Sequence, residues 1–409
     1  MANKQVTITA PASKSYLQRA LAIALLTKGK TVLNNVSWCD DSLAVKNLIQ
    51  ALGANIIENN QQLVIHADGL QVNDTSLSMG ESGLALRMFS PILALTGKTI
   101  MFTGKGTLNN RPVAFIEKTL QSLGVETISH NGLLPLKLNG KISPGSITID
   151  GSISSQLLTG LLISLPLANG DSEIFVNHLK SIPYIDMTLS VIHDFGVNIT
   201  HDNYRYFRIP GNQKYLPSGL TIEGDWSGAA FLLVSGAFTD RVEVKNLSEN
   251  SLQPDRKILD VLKMAGAKLT LKEDAVIVEK QQLKAFRFDA THCPDLFPPL
   301  VALAANCEGV SEIKGVSRLT YKESNRGKVL KEELSKVGIT VIIEDDVMRV
   351  AGGKISDGVI DSHHDHRIAM MAAVLNLVSA GKIDILHKEA VNKSYPGFFA
   401  DINNIKKGR

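Results

Sequence analysis

The sequence predicts an α/β protein built from six similar units. Three observations support this fold class: a glycine recurs after helical segments at intervals of 70 to 72 residues, a proline recurs with the same period, and each interval contains both helical and strand patterns. Self-similarity at a fixed period is typical of repeat architectures. Alternating helical and strand patterns indicate that each unit contributes to both a helical and a sheet layer.

The recurring glycine follows one or two apolar residues at the end of a helical segment. Its five copies are separated by 71, 72, 70 and 72 residues and are Gly53, Gly124, Gly196, Gly266 and Gly338. Glycine adopts the left-handed conformation that ends a helix without steric cost, so each copy predicts a helix end. The alternating segments that follow, such as residues 54–57 and 62–65, predict a β-hairpin.

Two further markers give the order of elements within a unit. An apolar helix, a short polar break and a strand occur at residues 25–33 and recur around Gly97, Gly170, Asp240, Gly309 and Gly381. A proline begins the second helix at Pro112, Pro183, Pro254 and Pro396. Proline suits the first helical position because its φ is fixed and its missing N–H is not needed there. The predicted order is therefore helix, strand, helix, hairpin.

Six units divide most simply into two domains of three, predicted at residues 12–222 and at residues 1–11 with 223–409. A single open solenoid is the alternative, but long units of mixed strands and helices usually close a core of their own. Gly408 matches the sixth glycine, yet no hairpin follows it. The alternating strand at residues 5–9 has no partner in its own unit, so we expect it to complete the sixth unit and the C-terminal domain.

The composition is that of a globular protein, with 44% hydrophobic and 20% charged residues. Lysine plus arginine number 43 and aspartate plus glutamate 40, and the net charge of +3 is too small for the basic surface of a nucleic-acid or membrane binder. Three cysteines without C-x-x-C spacing disfavour a disulfide framework or a zinc knuckle. We therefore expect a cytoplasmic protein that binds neither nucleic acid nor membrane.

Positive charge concentrates where helices are predicted to begin. The first helices of the units begin at residues 13–15, 81–83, 154–156, 225–227, 294–295 and 365–367. The cations at or one turn inside helix starts are Lys14, Arg19, Arg87, Arg111, Lys322, Arg326, Arg367 and Lys393. Helix N-termini and cations both favour anions, so this set predicts a cleft between the domains for small, strongly anionic ligands.

Two carboxylates, Asp295 and Glu323, lie among these cations. Ion pairing alone would explain them, but general acid and base catalysis also needs carboxyl groups beside the reactants. The run at residues 363–366 contains three histidines and an aspartate. Because adjacent residues rarely point to one centre and no further ligand is evident, we expect no metal. The chain lacks both common glycine-rich nucleotide motifs, so phosphate binding would depend on the dispersed cations.

An ordered set of short motifs across nearly the whole chain resembles the 5-enolpyruvylshikimate-3-phosphate synthases, a family of enolpyruvyl transferases. The motifs are residues 11–15 with Arg19, Gly83 with Arg87, Arg111-Pro112, residues 154–156, Ser181 with Tyr184, Pro294-Asp295, Lys322-Glu323 with Arg326, residues 365–367, and Lys393 with Pro396. The resemblance implies a two-domain inside-out α/β barrel. Each domain would have three βαβαββ repeats about a pseudo-threefold axis, with the N-terminal strand in the C-terminal domain.

The resemblance also implies an activity. The enolpyruvyl group of phosphoenolpyruvate would be transferred to the 5-hydroxyl of shikimate 3-phosphate, with release of phosphate through a tetrahedral intermediate. This reaction belongs to the shikimate pathway to chorismate and aromatic amino acids. It implies no metal or organic cofactor, and we expect a monomer whose partners are these two small molecules.

Matched positions assign residues to the two substrates. Shikimate 3-phosphate would contact Lys14, Ser15, Arg19, Ser154, Ser155, Gln156, Ser181, Tyr184, Asp295 and Lys322. Phosphoenolpyruvate would contact Lys14, Gly83, Arg111, Gln156, Arg326, Arg367 and Lys393. The implied catalytic roles are removal of the 5-hydroxyl proton by Asp295, proton transfer at the enol carbon by Glu323, and stabilisation of the leaving phosphate by Lys14.

Two positions depart from the family pattern, and two alternatives remain open. Residues 81–84 are Glu-Ser-Gly-Leu where Asn-Ala-Gly-Thr is common, and Arg318 replaces a frequent asparagine. One alternative is the sister enzyme that uses UDP-N-acetylglucosamine, which usually has Lys-Asn in place of Lys14-Ser15 and a cysteine in the loop matching residues 104–111. The other is a non-catalytic anion-binding protein, for which desolvated carboxylates would have little use.

Overall fold

The computed structural model describes residues 5–408, and the chain divides into two compact units. The N-terminal unit is Lys14–Ile222, and the C-terminal unit contains the described residues 5–13 and 223–408. Both units show the repeated helix and strand order expected from the sequence. No helix within residues 5–408 combines the length and the apolar character needed to cross a membrane.

The elements are numbered in chain order. The helices are α1 (Lys14–Leu26), α2 (Asp40–Ala51), α3 (Gly83–Ala94), α4 (Ala114–Gln121), α5 (Gln156–Ser164), α6 (Ile182–Asp194), α7 (Trp226–Phe238), α8 (Ile258–Met264), α9 (Phe297–Ala305), α10 (Arg326–Ser335), α11 (His366–Leu375) and α12 (Phe398–Lys407). The strands are β1 (Val6–Thr9), β2 (Gly29–Asn34), β3 (Asn55–Asn59), β4 (Gln62–Ala67), β5 (Ser76–Ser78), β6 (Gly97–Thr103), β7 (Glu126–His130), β8 (Leu133–Gly140), β9 (Ser146–Asp150), β10 (Ser172–Asn177), β11 (Thr200–Asp202), β12 (Tyr206–Ile209), β13 (Gly219–Thr221), β14 (Arg241–Lys245), β15 (Lys268–Leu271), β16 (Ala275–Glu279), β17 (Arg287–Asp289), β18 (Val310–Lys314), β19 (Val341–Glu344), β20 (Val347–Ala351), β21 (Gly358–Asp361) and β22 (Ile383–Leu386).

The sheets repeat one pattern. In the N-terminal unit the strand orders are β13-β2-β4-β3, β5-β6-β8-β7 and β9-β10-β12-β11, and the C-terminal unit adds β1-β14-β16-β15 and β17-β18-β20-β19. In each sheet the first strand pairs in parallel with the second, and the other two form an antiparallel hairpin, as in β5-β6-β8-β7. The last sheet of the described chain is the parallel pair β21-β22.

The first helix of each repeat lies inside its unit. Every residue of α3, α7, α9 and α11 is buried. A helix that is buried on every side must pack against neighbouring elements on every side. Helices α7, α9 and α11 contact one another, and α3 contacts α1 and α5. Strands such as β8 and β9 alternate between buried and exposed residues. The sheets that contain β8 and β9 therefore cover the helices with one face and meet solvent with the other.

The recurring glycines end helices as the sequence predicts. Gly53, Gly124, Gly196, Gly266 and Gly338 have φ values of 99°, 81°, 79°, 88° and 83°, in the left-handed region. At the sixth position the structure differs, because Gly408 keeps a helical φ of −78°.

The N-terminal strand β1 lies in the C-terminal unit, but the expectation that it completes the sixth repeat was wrong. It pairs in parallel with β14 of the fourth sheet, from Val6 opposite Val242 to Thr9 opposite Lys245. The strand that precedes α7 in sequence, β13, pairs instead with β2 in the N-terminal unit. Thus β1, which precedes α1 in sequence, pairs in the C-terminal unit, and β13, which precedes α7, pairs in the N-terminal unit. A single strand can pair in parallel at the edge of a sheet, as β1 does with β14.

Candidate active site

In the C-terminal unit, three cations converge on Asp295. This residue lies in the 3₁₀ turn Pro294–Leu296 that leads into α9. Its Oδ1 accepts hydrogen bonds from Lys322 Nζ at 3.1 Å and Arg326 Nη1 at 3.0 Å, and its Oδ2 lies 3.2 Å from Arg367 Nη2. The Asp295 side chain is 20% exposed, so a ligand can reach the carboxylate.

The cations control the ionisation of Asp295. Burial raises the pKa of this carboxyl, but attraction to Arg367, Lys322 and Arg326 outweighs burial and holds the pKa well below its usual value. Burial lowers the pKa of the Lys322 ammonium, and Asp295 offsets only part of that effect. Asp295 is therefore ionised and weakly basic while the cations hold it. An anionic ligand that drew the cations away would increase its basicity.

Arg326, the first residue of α10, connects three carboxylates. It is fully buried, and besides Asp295 its Nη2 donates to Glu323 Oε2 at 2.7 Å. Its Nε and Nη2 donate to the two oxygens of Asp365 at 2.9 and 3.1 Å. Burial lowers the pKa of this guanidinium, but Asp365, Glu323 and Asp295 raise it above its usual value. The side chain is thus fixed in position and permanently charged.

Asp365 links this centre to the start of α11. Its Oδ1 accepts a hydrogen bond from the Arg367 backbone N–H at 3.0 Å, so it caps α11 while it binds Arg326.

Two further cations of the C-terminal unit are partly or fully buried. Lys393 is buried at the end of the 3₁₀ turn Lys388–Lys393. Burial lowers the pKa of Arg318, whereas attraction to Asp295 opposes that effect, so this unusual arginine also belongs to the electrostatic surroundings of Asp295.

In the N-terminal unit, Lys14 at the start of α1 is held by Asp41. Lys14 Nζ lies 2.9 Å from Asp41 Oδ2, and Asp41 is buried in the first turn of α2. Gln18 Nε2 donates to the Asp41 carbonyl at 2.9 Å and to Ser82 Oγ at 3.2 Å. The starts of α1, α2 and α3 are therefore connected by hydrogen bonds. Sequence reasoning missed Asp41, because an acidic residue in a first helical turn is common for electrostatic reasons alone.

The starts of α3 and α5 lie beside two arginines. A Cβ placed on Gly83 would lie 2.6 Å from Arg111 Nη1 and 3.2 Å from Arg87 Nη1. Arg87 Nη1 donates to Gln156 Oε1 at 2.7 Å. The structure thus places Arg87 and Arg111, both among the cations that the sequence located at or near helix starts, beside Gly83, and it joins Arg87 to Gln156.

Arg19 points into the N-terminal unit. Its Nε donates to Thr188 Oγ1 at 2.8 Å, and its Nη2 donates to Thr159 Oγ1 at 3.4 Å and the Tyr184 carbonyl at 3.3 Å. Its Nη1 donates to the Ser15 carbonyl at 2.8 Å. Burial lowers the pKa of Arg19 to about 10. These bonds join α1, α5 and α6, so Arg19 supports the helix starts structurally.

The remaining hydroxyl residues also lie at helix starts. Ser154 Oγ accepts a hydrogen bond from the Gln156 N–H at 3.2 Å, and Ser155 directly precedes α5. Ser181 precedes α6 with a left-handed φ of 58°, and the Tyr184 ring centre lies 5.9 Å from the Arg19 guanidinium carbon. Arg19 therefore connects the serine-bearing starts of α1 and α6.

Two groups in the described chain have the spacing of metal ligands. Glu323, Asp365 and His366 offer atoms within 4.8 Å of one another. Glu323 and Asp365 already bind Arg326, so a metal here would compete with a buried guanidinium. The other group, His364, His387 and Glu389, is exposed on the C-terminal unit.

The repeated α/β units, with cations and carboxylates at their helix starts, define an enzyme class that acts on small anionic substrates. The sequence profile of EPSP synthase (3-phosphoshikimate 1-carboxyvinyltransferase) matches residues 2–402. The chain belongs to this family.

Individual relatives agree with the family match. The 3-phosphoshikimate 1-carboxyvinyltransferase of Clostridium novyi is 35% identical, over 97% of this chain and 94% of the relative. That of Clostridium kluyveri is 37% identical, over 97% and 93%. The solved EPSP synthase from Acinetobacter baumannii has a TM-score of 0.82 and 26% identity, over 98% and 96%. The enolpyruvyl transferase NikO from Streptomyces tendae, 16% identical over 98% and 94% with a TM-score of 0.77, shares the fold. The predicted fold class is confirmed.

Proposed function

We propose that this chain transfers the enolpyruvyl group of phosphoenolpyruvate to the 5-hydroxyl of shikimate 3-phosphate and releases phosphate. The observation that carries the proposal is the Asp295 carboxylate held by Lys322, Arg326 and Arg367 in a member of this family. The reaction needs a carboxylate to accept a hydroxyl proton and cations to bind phosphate and carboxylate groups. Both requirements meet at this residue.

Phosphoenolpyruvate is assigned to buried cations whose side chains are already positioned. Arg326 is fixed by three carboxylates, and Arg367 and Lys393 are each 5% exposed. In the N-terminal unit we assign it to Arg111, Gln156 and the N–H groups at the start of α3, where Gly83 lets the ligand approach the backbone. Preorganised cations of this kind lower the cost of binding a small anion.

Shikimate 3-phosphate is assigned to the hydroxyl groups at the helix starts of the N-terminal unit and to Asp295 and Lys322. The N-terminal group is Ser15, Ser154, Ser155, Gln156, Ser181 and Tyr184. Arg19 stabilises their positions through its hydrogen bonds to the Ser15 and Tyr184 carbonyls. Lys14 is assigned to both substrates. Its ammonium is oriented by the buried Asp41 carboxylate.

The chemistry follows from these assignments. Asp295 takes the proton of the 5-hydroxyl as that oxygen forms a bond to C2 of phosphoenolpyruvate, while Glu323 delivers a proton to C3. In the second step the Glu323 carboxylate takes a proton back from C3 and the C2–O bond to phosphate breaks. The departing phosphate takes up the proton that Asp295 removed from the 5-hydroxyl, and Lys14 neutralises its remaining charge. When phosphoenolpyruvate engages Arg326 and Arg367, their hold on Asp295 weakens and its basicity rises. Proton removal is thereby coupled to donor binding.

The proposal is tested by measuring phosphate release from phosphoenolpyruvate with each acceptor separately. We expect turnover with shikimate 3-phosphate and none with UDP-N-acetylglucosamine. Turnover with the UDP-sugar alone would establish the sister activity instead. Absence of turnover with both acceptors, in protein that binds phosphoenolpyruvate, would favour a non-catalytic anion-binding role.

Gly83→Ala should weaken the use of phosphoenolpyruvate without weakening the fold. The added Cβ would lie 2.6 Å from Arg111 Nη1, so that guanidinium must move. Alanine is a better helix former than glycine by roughly 0.5–1 kcal/mol, so the helix itself should not suffer. Steady-state kinetics should show a KM for phosphoenolpyruvate raised about tenfold, a loss of about 1.4 kcal/mol. Gly219→Ala is the control, since a Cβ there meets nothing within 4 Å. An unchanged KM in Gly83→Ala would remove Arg111 from the donor site.

Asp41→Asn should lower turnover by releasing Lys14. The variant removes the carboxylate 2.9 Å from Lys14 Nζ but keeps the shape of the buried side chain. We expect kcat at saturating substrates to fall about tenfold, in the range found when supporting hydrogen-bond partners are lost. The adjacent exposed residue provides the control, Asp40→Asn. Equal kcat values for Asp41→Asn and wild type would show that Asp41 has only a structural role.

A further inference from the structure

We propose that His364, His387 and Glu389 form a binding site for a first-row divalent transition metal, with Zn²⁺ as the representative ion. A ring nitrogen from each histidine and a carboxylate oxygen lie within 4.8 Å of one another. All three residues are exposed on the C-terminal unit. They are separate from the residues assigned above to substrates.

The parallel pair β21-β22 brings these residues together. The register ends with Asp361 opposite Leu386, so the chain leaves both strands at the same edge. Ser362 holds together the segments that follow β21 and β22. Its N–H donates to the Leu386 carbonyl at 3.2 Å, and its Oγ donates to the His387 carbonyl at 3.0 Å. His364 and His387 therefore emerge side by side, with ring centres 4.0 Å apart.

Glu389 supplies the anionic ligand from the turn that follows His387. Its Oε1 lies 3.7 Å from His387 Nδ1. The expectation of no metal rested on the run at residues 363–366, which offers no further ligand nearby in sequence. The missing ligands come from the neighbouring strand, and strand pairing of this kind is not visible in local spacing.

The donor set favours zinc-like ions over Mg²⁺ or Ca²⁺. Two imidazoles and one carboxylate suit Zn²⁺, Co²⁺, Ni²⁺ or Cu²⁺, whereas the harder cations prefer oxygen ligands alone. Tetrahedral bonds of about 2.0–2.1 Å place ligand atoms roughly 3.3 Å apart, so small side-chain rotations complete the site. Such rotations are open to His387 and Glu389, whose side chains are 42% and 67% exposed. Water would fill the fourth position.

The test uses full-length, untagged protein freed of metal by a chelator, because a histidine tag would bind the same ions. Zn²⁺ alone is titrated in competition with a chromophoric chelator. We expect one Zn²⁺ per chain with micromolar or tighter affinity. Co²⁺ in its place should give the strong visible absorption of a four-coordinate site. No Zn²⁺ binding by wild type up to millimolar concentration would overturn the proposal.

Three variants locate the site. His364→Asn and His387→Asn remove imidazoles but keep the fold, because these positions have φ values of 56° and 52° and asparagine tolerates the left-handed region. Glu389→Gln removes the anionic ligand. Each should weaken Zn²⁺ binding by at least about tenfold, as expected for loss of a metal contact. Wild-type affinity in any of the three would overturn the three-ligand site.

His363→Asn is the matched control. His363 is also exposed and has a φ of 51°, but its Nε2 lies 2.9 Å from Glu333 Oε1, and it is not one of the three residues whose ligand atoms lie close together. This variant should bind Zn²⁺ like wild type. Loss of binding in His363→Asn with retention in His364→Asn would overturn the assignment.

Discussion

Asp295→Asn is expected to reduce kcat by about 10²–10⁴-fold, the range for loss of a general base. The amide keeps the shape of the carboxyl group but cannot accept the proton of the 5-hydroxyl. The same change removes the negative charge that Lys322, Arg326 and Arg367 share. Since Asp295 then no longer competes for these cations, the affinity for phosphoenolpyruvate should stay the same or increase.

The combination of lower kcat with undiminished donor affinity distinguishes a base from a structural residue. Steady-state kinetics give kcat, and equilibrium titration with phosphoenolpyruvate gives the affinity. Asp289→Asn is the control, because Asp289 is an exposed carboxylate in the same unit that pairs with Lys314 at 3.5 Å. A kcat within a few-fold of wild type in Asp295→Asn would end the assignment of Asp295 as the base.

The parts of the fold that could be predicted are those with local signals. The five glycines with φ near 80–100° mark helix ends by a conformation that other residues rarely adopt. The pairing of β1 could not be predicted, because the alternation at residues 5–9 specifies a strand but not its neighbour. The expected place of β1 was the sixth repeat, whereas the strand pairs with β14 of the fourth sheet. Partner choice depends on which sheet edge is open after the chain has folded.

In the candidate site, too, some features could be predicted from local sequence signals and others could not. The cations could be located from the sequence because helix starts are recognisable, and the structure gathers Lys322, Arg326 and Arg367 around Asp295. Side-chain direction could not be predicted. Arg19 shares the helical start of Lys14 but points inward to Thr188, whereas Lys14 pairs with Asp41. These outcomes are decided by packing between helices that are distant in sequence.

Arg326→Met is expected to lower the free energy of unfolding by about 3–5 kcal/mol, the cost of breaking a buried ion pair on one side. Methionine fills much of the same volume, so packing is largely preserved. The loss arises because Glu323, Asp365 and Asp295 keep their charges without the buried guanidinium that binds all three. Urea denaturation gives the free energy directly. Donor binding should be lost in the same variant.

The pH dependence identifies the cause of this destabilisation. In wild type the cations hold the pKa of Asp295 well below its usual value, so its contribution to stability is present above the unfolded-state pKa and is lost as the pH falls through the folded-state pKa. Arg326→Met removes one of these cations, so the difference in unfolding free energy between wild type and variant should stay constant from about pH 7 to 5 and shrink as the pH falls below the unfolded-state pKa of about 3.9. Arg349→Met provides the comparison, because Arg349 also pairs with two carboxylates, Glu312 and Glu344, but on the surface. Its effect should be much smaller and should decline with added salt. Equal destabilisation by both variants, or a difference for Arg326→Met that does not change with pH, would show that methionine disturbs packing and not a buried charge network.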